Sequence, residues 1–138
     1  MEMLVLRLVH VMGAIFWVGS GIFTSFFLAP VLAKAGPSAG PVMLGLQQRK
    51  LFAVLPIVAL LTILSGARLM QIASGGFSAA YFQSGMGRTF AFGAAAGIVA
   101  FLFGITFVKP TSTRMGKVGA ALAAAQDNAE RERLAAEF

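Results

Sequence analysis

Cysteine is absent from the 138-residue chain, and charged residues are scarce. Without cysteine the chain forms no disulfide, no iron–sulfur cluster and no thiolate zinc site. Charged residues make up 12% of the sequence, about half the usual share of a soluble domain, whereas hydrophobic residues make up 58%. A domain this small cannot cover its apolar side chains with so little polar surface. The composition therefore predicts a single-domain integral membrane protein.

Residue pairs that would support catalysis are also missing. The apolar part of the chain contains no paired carboxylates and no nucleophile accompanied by a base, so acid–base hydrolysis is not expected. Neither a GxGxxG motif nor a P-loop is present. The sequence therefore identifies no catalytic residue, and an enzyme is the less favoured interpretation.

Three apolar stretches approach or exceed the roughly 20 residues that a membrane-spanning helix needs. They cover residues 8–32, 51–72 and 89–108. The second includes Arg68, whose long side chain can reach the membrane interface. Pro110 follows the third and predicts a break or kink there. The predicted fold is an all-α integral membrane helical bundle with three transmembrane helices within residues 1–110.

The remaining segments differ from the spans in composition. Residues 33–50 combine glycine and proline with a basic run, and residues 73–88 combine glycine with aromatic residues that suit the head-group level. Residues 111–138 are alanine-rich and charged, with Asp127 and Arg131 at helical ion-pair spacing. This last segment is predicted to form an amphipathic C-terminal helix in the cytoplasm or on the membrane surface.

A cleaved secretory signal is the alternative interpretation of the first apolar stretch. Ala33-Lys34-Ala35 has the pattern of a cleavage site. However, the apolar run is longer than the usual 7–15 residues, and Glu2 accompanies Arg7 in the leader. A retained transmembrane helix is therefore favoured.

The distribution of Lys and Arg indicates partners and orientation. The net charge is +6, but the basic residues flank apolar runs, which favours lipid head groups of the bilayer over nucleic acid. With three spans, Arg7, Arg68 and Arg88 share one side. The opposite side carries Lys34, Arg49, Lys50, Lys109, Arg114, Lys117, Arg131 and Arg133. The positive-inside rule then predicts a multi-pass protein with its N-terminus outside and its C-terminus cytoplasmic.

Small residues mark the predicted packing faces, because they let membrane helices approach closely. At 100° per residue, the small and polar residues of the first helix fall on one side and its bulky residues on the other. The predicted packing positions are Gly13 and Gly21 on the first helix and Gly93, Gly97 and Gly104 on the third. Two interpretations remain open for the third helix. Its glycines either pack within the chain or form a seam for a second copy or another subunit.

His10, the one histidine, is the main candidate for chemistry because ionisable residues inside membrane helices are frequently functional. Three roles are open: a hydrogen-bond partner between helices, a ligand of haem iron or copper, and a proton-handling group. Met70 and Met86 are candidate co-ligands, since thioether and imidazole suit Cu(I), although methionine is also an ordinary apolar filler. Arg68 is either an interfacial anchor or a partner for a cofactor propionate or phosphate.

The stretch His10-Val-Met-Gly-Ala-Ile-Phe-Trp17-Val-Gly19 resembles the opening helix of a group of small bacterial membrane proteins. The group comprises copper-resistance-D-type proteins, related uncharacterised integral membrane proteins and HemJ-type protoporphyrinogen oxidases. The resemblance covers residues 1–70. It implies a four-helix bundle in the bacterial inner membrane, with haem b or copper near His10 and Trp17. The sequence departs from this group because it has no second histidine, no fourth apolar stretch and no ionisable residues deep in the bundle.

Two functions from different classes follow. The first, which is preferred, is a non-catalytic accessory or assembly subunit that packs against other membrane subunits or forms a homo-oligomer. The alternative is a haem- or copper-handling membrane protein with His10 as ligand.

Overall fold

The computed structural model describes residues 1–36, 39–124, 133–134 and 136. Within these residues all regular structure is helical, which confirms the predicted all-α class. The helices are α1 (Glu2–Phe23), α2 (Ala29–Ala35), α3 (Ala39–Gln48), α4 (Leu51–Ala73), α5 (Ala79–Gln83), α6 (Gly85–Phe103) and α7 (Lys109–Ala124). Two π-helical turns, π1 (Thr24–Leu28) and π2 (Gly104–Val108), connect α1 to α2 and α6 to α7.

Three helical stretches are long and apolar enough to cross a membrane, as predicted. They are Glu2–Ala35, Leu51–Ala73 and Gly85–Ala121. Their large apolar side chains are exposed, including Phe26 at 73% and Phe92 at 79%. Because helices satisfy their own backbone groups, such side chains can face hydrocarbon. The chain is a small polytopic membrane protein, and its exposed apolar surface contacts the lipid bilayer.

The first and third stretches extend beyond the predicted spans. They contain 34 and 37 residues, well above the roughly 20 that a membrane-spanning helix needs. The third stretch does not break at Pro110. The π2 turn ends just before Lys109-Pro110, and the chain continues through Pro110 as α7. In the same way π1 ends just before Ala29-Pro30, and the Ala29 N–H donates to the Thr24 carbonyl five residues earlier. In a regular α-helix a proline ring clashes with the carbonyl group four residues earlier. The α-helical hydrogen-bond pattern would therefore be strained just before each proline, and the wider π turns lie at these positions.

The segments between the spans also contain helices that the composition did not predict. Residues 33–50 include α3, and residues 73–88 include α5. The third span begins at Gly85 because Ser84 caps it, with the Gly87 N–H donating to Ser84 Oγ at 3.0 Å. Residues 111–124 of the predicted C-terminal helix belong to α7, and the Asp127–Arg131 spacing lies outside the described residues.

The chain divides into two compact units. Unit 1 comprises Met1–Gly19 and Pro56–Gly104, and unit 2 comprises Ser20–Leu55 and Ile105–Phe138. Unit 1 contains most of α1 and α4 together with α6, and it holds most of the predicted site residues. Unit 2 contains α2, α3 and α7.

The core of unit 2 forms where α3 meets α7. Its buried residues are Leu32, Ala39 and Met43, surrounded by Leu28, Leu46, Phe52 and Met115. The backbones of the two helices approach closely, since a Cβ built on Gly119 would lie 2.8 Å from the Gly40 carbonyl oxygen and 3.0 Å from its Cα. A Cβ on Gly116 would collide with the Gln47 side-chain amide. Glycine is therefore required at position 119, where the close atoms belong to the backbone, whereas at position 116 the flexible Gln47 side chain can move away.

Candidate functional site

His10 joins α1 to α4 within unit 1. Its Nδ1 lies 2.8 Å from the carbonyl oxygen of Thr62, and the ring is half-buried. A carbonyl oxygen only accepts, so Nδ1 carries a hydrogen, and in the neutral imidazole the lone pair is then on Nε2. The imidazole is thus oriented by a main-chain acceptor. Substitution of the Thr62 side chain would leave this acceptor in place.

Two glycines make room for this contact, one on each helix. A Cβ on Gly66 would lie 2.6 Å from Cε1 and 2.9 Å from Nδ1 of His10. A Cβ on Gly13 would collide with the Thr62 hydroxyl. Each helix therefore offers a glycine opposite a polar side chain of the other. Gly13 was among the predicted packing positions, whereas Gly66 was not.

The buried hydroxyl groups of α4 are satisfied within their own helix. Thr62 Oγ1 donates to the Val58 carbonyl at 2.8 Å, and Ser65 Oγ donates to the Leu61 carbonyl at 2.7 Å and to the Thr62 carbonyl at 3.0 Å. Such bonds keep hydroxyls satisfied where water is excluded. Thr62 and Ser65 are the only hydroxyl residues in α4 and share one face with Ala59 and Gly66. This grouping of small and hydroxyl residues on one side of α4 is the feature of the sequence that could have predicted the packing face.

Trp17, predicted to contact a cofactor, packs against Phe101 of α6. The ring centroids lie 6.5 Å apart at an interplanar angle of 80°. This edge-to-face arrangement is favoured by the quadrupoles of the two rings. In unit 1, Trp17 therefore connects α1 to α6, as His10 connects α1 to α4.

Arg68 is exposed and pairs with Glu2. The Arg68 Nε and one terminal nitrogen each lie 2.8 Å from Glu2 Oε1, and the other terminal nitrogen donates to Gln71 Oε1 at 2.9 Å. Both charged side chains are about half exposed, so solvent screening limits the pair to about 0–1 kcal/mol of stability. Sequence reasoning missed Glu2 as the partner because the match depends on how α1 and α4 are aligned.

The two candidate methionine ligands lie in different surroundings. Met70 is half-buried and follows Gly66 by one helical turn, on the same face of α4 and about 6 Å further along its axis. Met86 is 66% exposed near the start of α6. Among the described residues, no group of three or more His, Cys, Asp or Glu side chains could hold a metal ion.

The other predicted packing glycines face open space. A Cβ built on Gly21, Gly93, Gly97 or Gly104 meets no described atom outside its neighbourhood within 4 Å. Gly21 and Gly93 are exposed, and Gly97 and Gly104 are half-buried. Of the five predicted glycines, Gly13 is thus the one seen in a tight contact among the described residues.

The helices and their exposed apolar surface define a class, the small polytopic membrane proteins with three candidate spans. Comparison with protein-family models, curated proteins and solved structures finds no match to this chain.

Proposed function

We propose that this protein is a non-catalytic accessory or assembly subunit of a larger complex in the bacterial inner membrane. The observation that supports the proposal is an open glycine face, formed by Gly93 and Gly97 of α6 and by Gly104, the first residue of π2, and called the α6 seam below. No described side chain covers these positions closely enough to touch an added Cβ.

The physical argument concerns what holds helices together in lipid. Apolar side chains gain little by exchanging lipid for another helix, so close backbone approach and interhelical hydrogen bonds supply the attraction. Gly13 and Gly66 serve this purpose between α1 and α4. Glycine destabilises a helix interior by about 1 kcal/mol relative to alanine. A helix of another subunit, or of a second copy, packed on the α6 seam would offset that loss.

The charge distribution supports an orientation for this subunit. Lys34 follows the first apolar stretch, Arg49 and Lys50 precede the second, and Lys109 follows the third. Three crossings would put these four cations on one side of the membrane. By the positive-inside rule, that side is cytoplasmic and the N-terminus is outside.

Gly97→Leu is expected to separate the protein from its membrane partner, because leucine would hold the two helices apart. Ala95→Leu is the matched control, since Ala95 is exposed and lies about 160° around α6 from Gly97. Both variants and the wild type are purified in mild detergent, and co-purifying chains are quantified by mass spectrometry. We expect at least a tenfold loss of partner for Gly97→Leu and less than a twofold loss for Ala95→Leu. Equal losses, or a wild type without any partner, would contradict the proposal.

A haem- or copper-handling role is the second candidate, and the geometry of His10 favours it specifically. Histidines that bind metals usually donate their other ring N–H to a carbonyl or carboxylate. His10 does so through Nδ1 to Thr62, so Nε2 of the neutral ring is the nitrogen that would bind a metal. Met70 lies one turn beyond Gly66, the residue whose added Cβ would collide with the His10 ring. One imidazole and one thioether fit an axial pair on haem iron or part of a Cu(I) site.

Optical absorption and metal content of the purified protein test this second candidate. If haem is bound, His10→Ala is expected to abolish the Soret band and Met70→Leu to shift it. If copper is bound, metal analysis replaces the spectrum, and both variants are expected to lose stoichiometric metal. A colourless, metal-free wild type would reject this function and leave the subunit proposal standing.

A further inference from the structure

Positive charge dominates the described surface of unit 2. The cations of α2, α3, α7 and their ends are all exposed, namely Lys34, Arg49, Lys50, Lys109, Arg114 and Lys117. The described residues of unit 2 include no Asp or Glu, and none of these cations forms an ion pair with another described residue. The acidic residues in this part of the sequence are all at position 127 or beyond, outside the described residues. Among the described residues, the charged side chains of unit 2 are therefore all of one sign.

The packing of α7 directs its cations away from the core of unit 2. Ser112, Gly116 and Gly119 are buried on the side that faces α3. At 100° per residue, Lys109, Arg114 and Lys117 fall within an arc of about 140° that contains none of these three buried residues, with Lys109 next to its edge, about 20° from Gly116. The charges are thus presented together on one face of α7. We call this face the α7 basic face.

The sequence places these cations at head-group level. Lys34 follows the first apolar stretch, Arg49 and Lys50 precede the second, and Lys109 follows the third. Three crossings bring these ends to the same membrane surface. Exposed apolar side chains accompany them, with Val31 at 64% and Val42 at 47% exposure. Adjacent cationic and apolar side chains match the phosphate and the upper acyl chain of a lipid.

We propose that unit 2 binds anionic phospholipid, with the α7 basic face, Lys34, Arg49 and Lys50 contacting the head-group phosphates. The occupant is a phospholipid rather than a soluble anion, because the site combines charge with exposed apolar surface. Zwitterionic lipids carry the same phosphate but cancel its charge, so the surface selects for net negative head groups. This proposal is independent of the subunit proposal, which concerns α6.

The test compares two triple variants of the delipidated full-length protein in nonionic detergent. One is Lys109→Gln/Arg114→Gln/Lys117→Gln. The control, Arg7→Gln/Arg68→Gln/Arg88→Gln, removes the same charge from unit 1. Binding of fluorescent phosphatidylglycerol and phosphatidylcholine is titrated at low and high salt. Circular dichroism and gel filtration confirm that each variant is folded.

The proposal predicts at least tenfold tighter binding of phosphatidylglycerol than of phosphatidylcholine, with the difference reduced by salt. Each removed charge near a lipid surface weakens binding about fivefold, so the α7 variant should lose about a hundredfold. The control should lose less than threefold. Equal binding of the two lipids, or equal losses in the two triple variants, would overturn the proposal. Displacement of phosphatidylglycerol by inorganic phosphate at the same concentration would also overturn it, by identifying a simple anion site.

Discussion

Gly119→Leu is expected to lower the free energy of unfolding by about 3 kcal/mol, among the largest effects of any single change in the chain. A Cβ at this position would lie 2.8–3.1 Å from three backbone atoms of Gly40. Backbone atoms cannot rotate away as a side chain can, so α3 and α7 would have to separate. Separation would expose Ala39 and Met43, which are 0% and 4% exposed in the folded unit. Unfolding in mixed micelles, followed by circular dichroism, measures the change.

Gly45→Leu provides the control for this prediction within the same unit. Gly45 lies on α3, is half-buried, and has no described atom within 4 Å of a Cβ built on it. Its substitution should change the free energy of unfolding by less than about 1 kcal/mol. Similar destabilisation by the two variants would show that the close crossing of α3 and α7 does not hold unit 2 together.

The second large effect is expected at the contact between Gly66 and His10. Gly66→Val should destabilise unit 1 by about 2–3 kcal/mol, because the new Cβ would lie 2.6 Å from Cε1 of His10 and displace the ring from the Thr62 carbonyl. His10→Ala should cost about 2 kcal/mol through the lost hydrogen bond and the space left beside Gly66.

The double variant His10→Ala/Gly66→Val separates this contact from general damage to the helices. Valine would then occupy the space vacated by the imidazole. The double variant should therefore be at least about 1 kcal/mol more stable than the sum of the single effects predicts. Gly19→Val is the control on α1, where an added Cβ meets nothing within 4 Å. Additive effects of the two single changes would contradict the His10–Gly66 contact.

The sequence was sufficient to predict the class of fold and to separate several half-buried positions of α1 from exposed ones, although Gly21, which was also predicted to pack, is exposed. Hydropathy located all three spans, since a bilayer demands long apolar helices. Helical periodicity separated the half-buried His10, Gly13 and Trp17 from Met12 and Ile15, which are 62% and 63% exposed. Both results depend only on hydropathy and helical periodicity within one segment, and a single sequence contains that information.

Contacts between distant segments could not be predicted in the same way. Gly40 of α3 and Gly119 of α7 face each other. Each glycine taken alone indicates only a position that is unfavourable for a helix. Residues 33–50 were therefore interpreted as a connecting segment. The pairing of Glu2 with Arg68 and the fit of His10 against Gly66 likewise depend on the alignment of two helices. Composition does not determine that alignment.

Three membrane crossings are the central claim, and cysteine labelling tests them most directly. The chain contains no cysteine, so each introduced thiol is unique. Ala80→Cys reports on the segment between α4 and α6, and Gln48→Cys, at the end of α3, reports on the segment between α2 and α4; both residues are exposed. A membrane-impermeant maleimide is applied to intact cells and to inverted vesicles. We predict labelling of Ala80→Cys only from outside and of Gln48→Cys only from inside. Labelling of both thiols from the same side would contradict the three crossings.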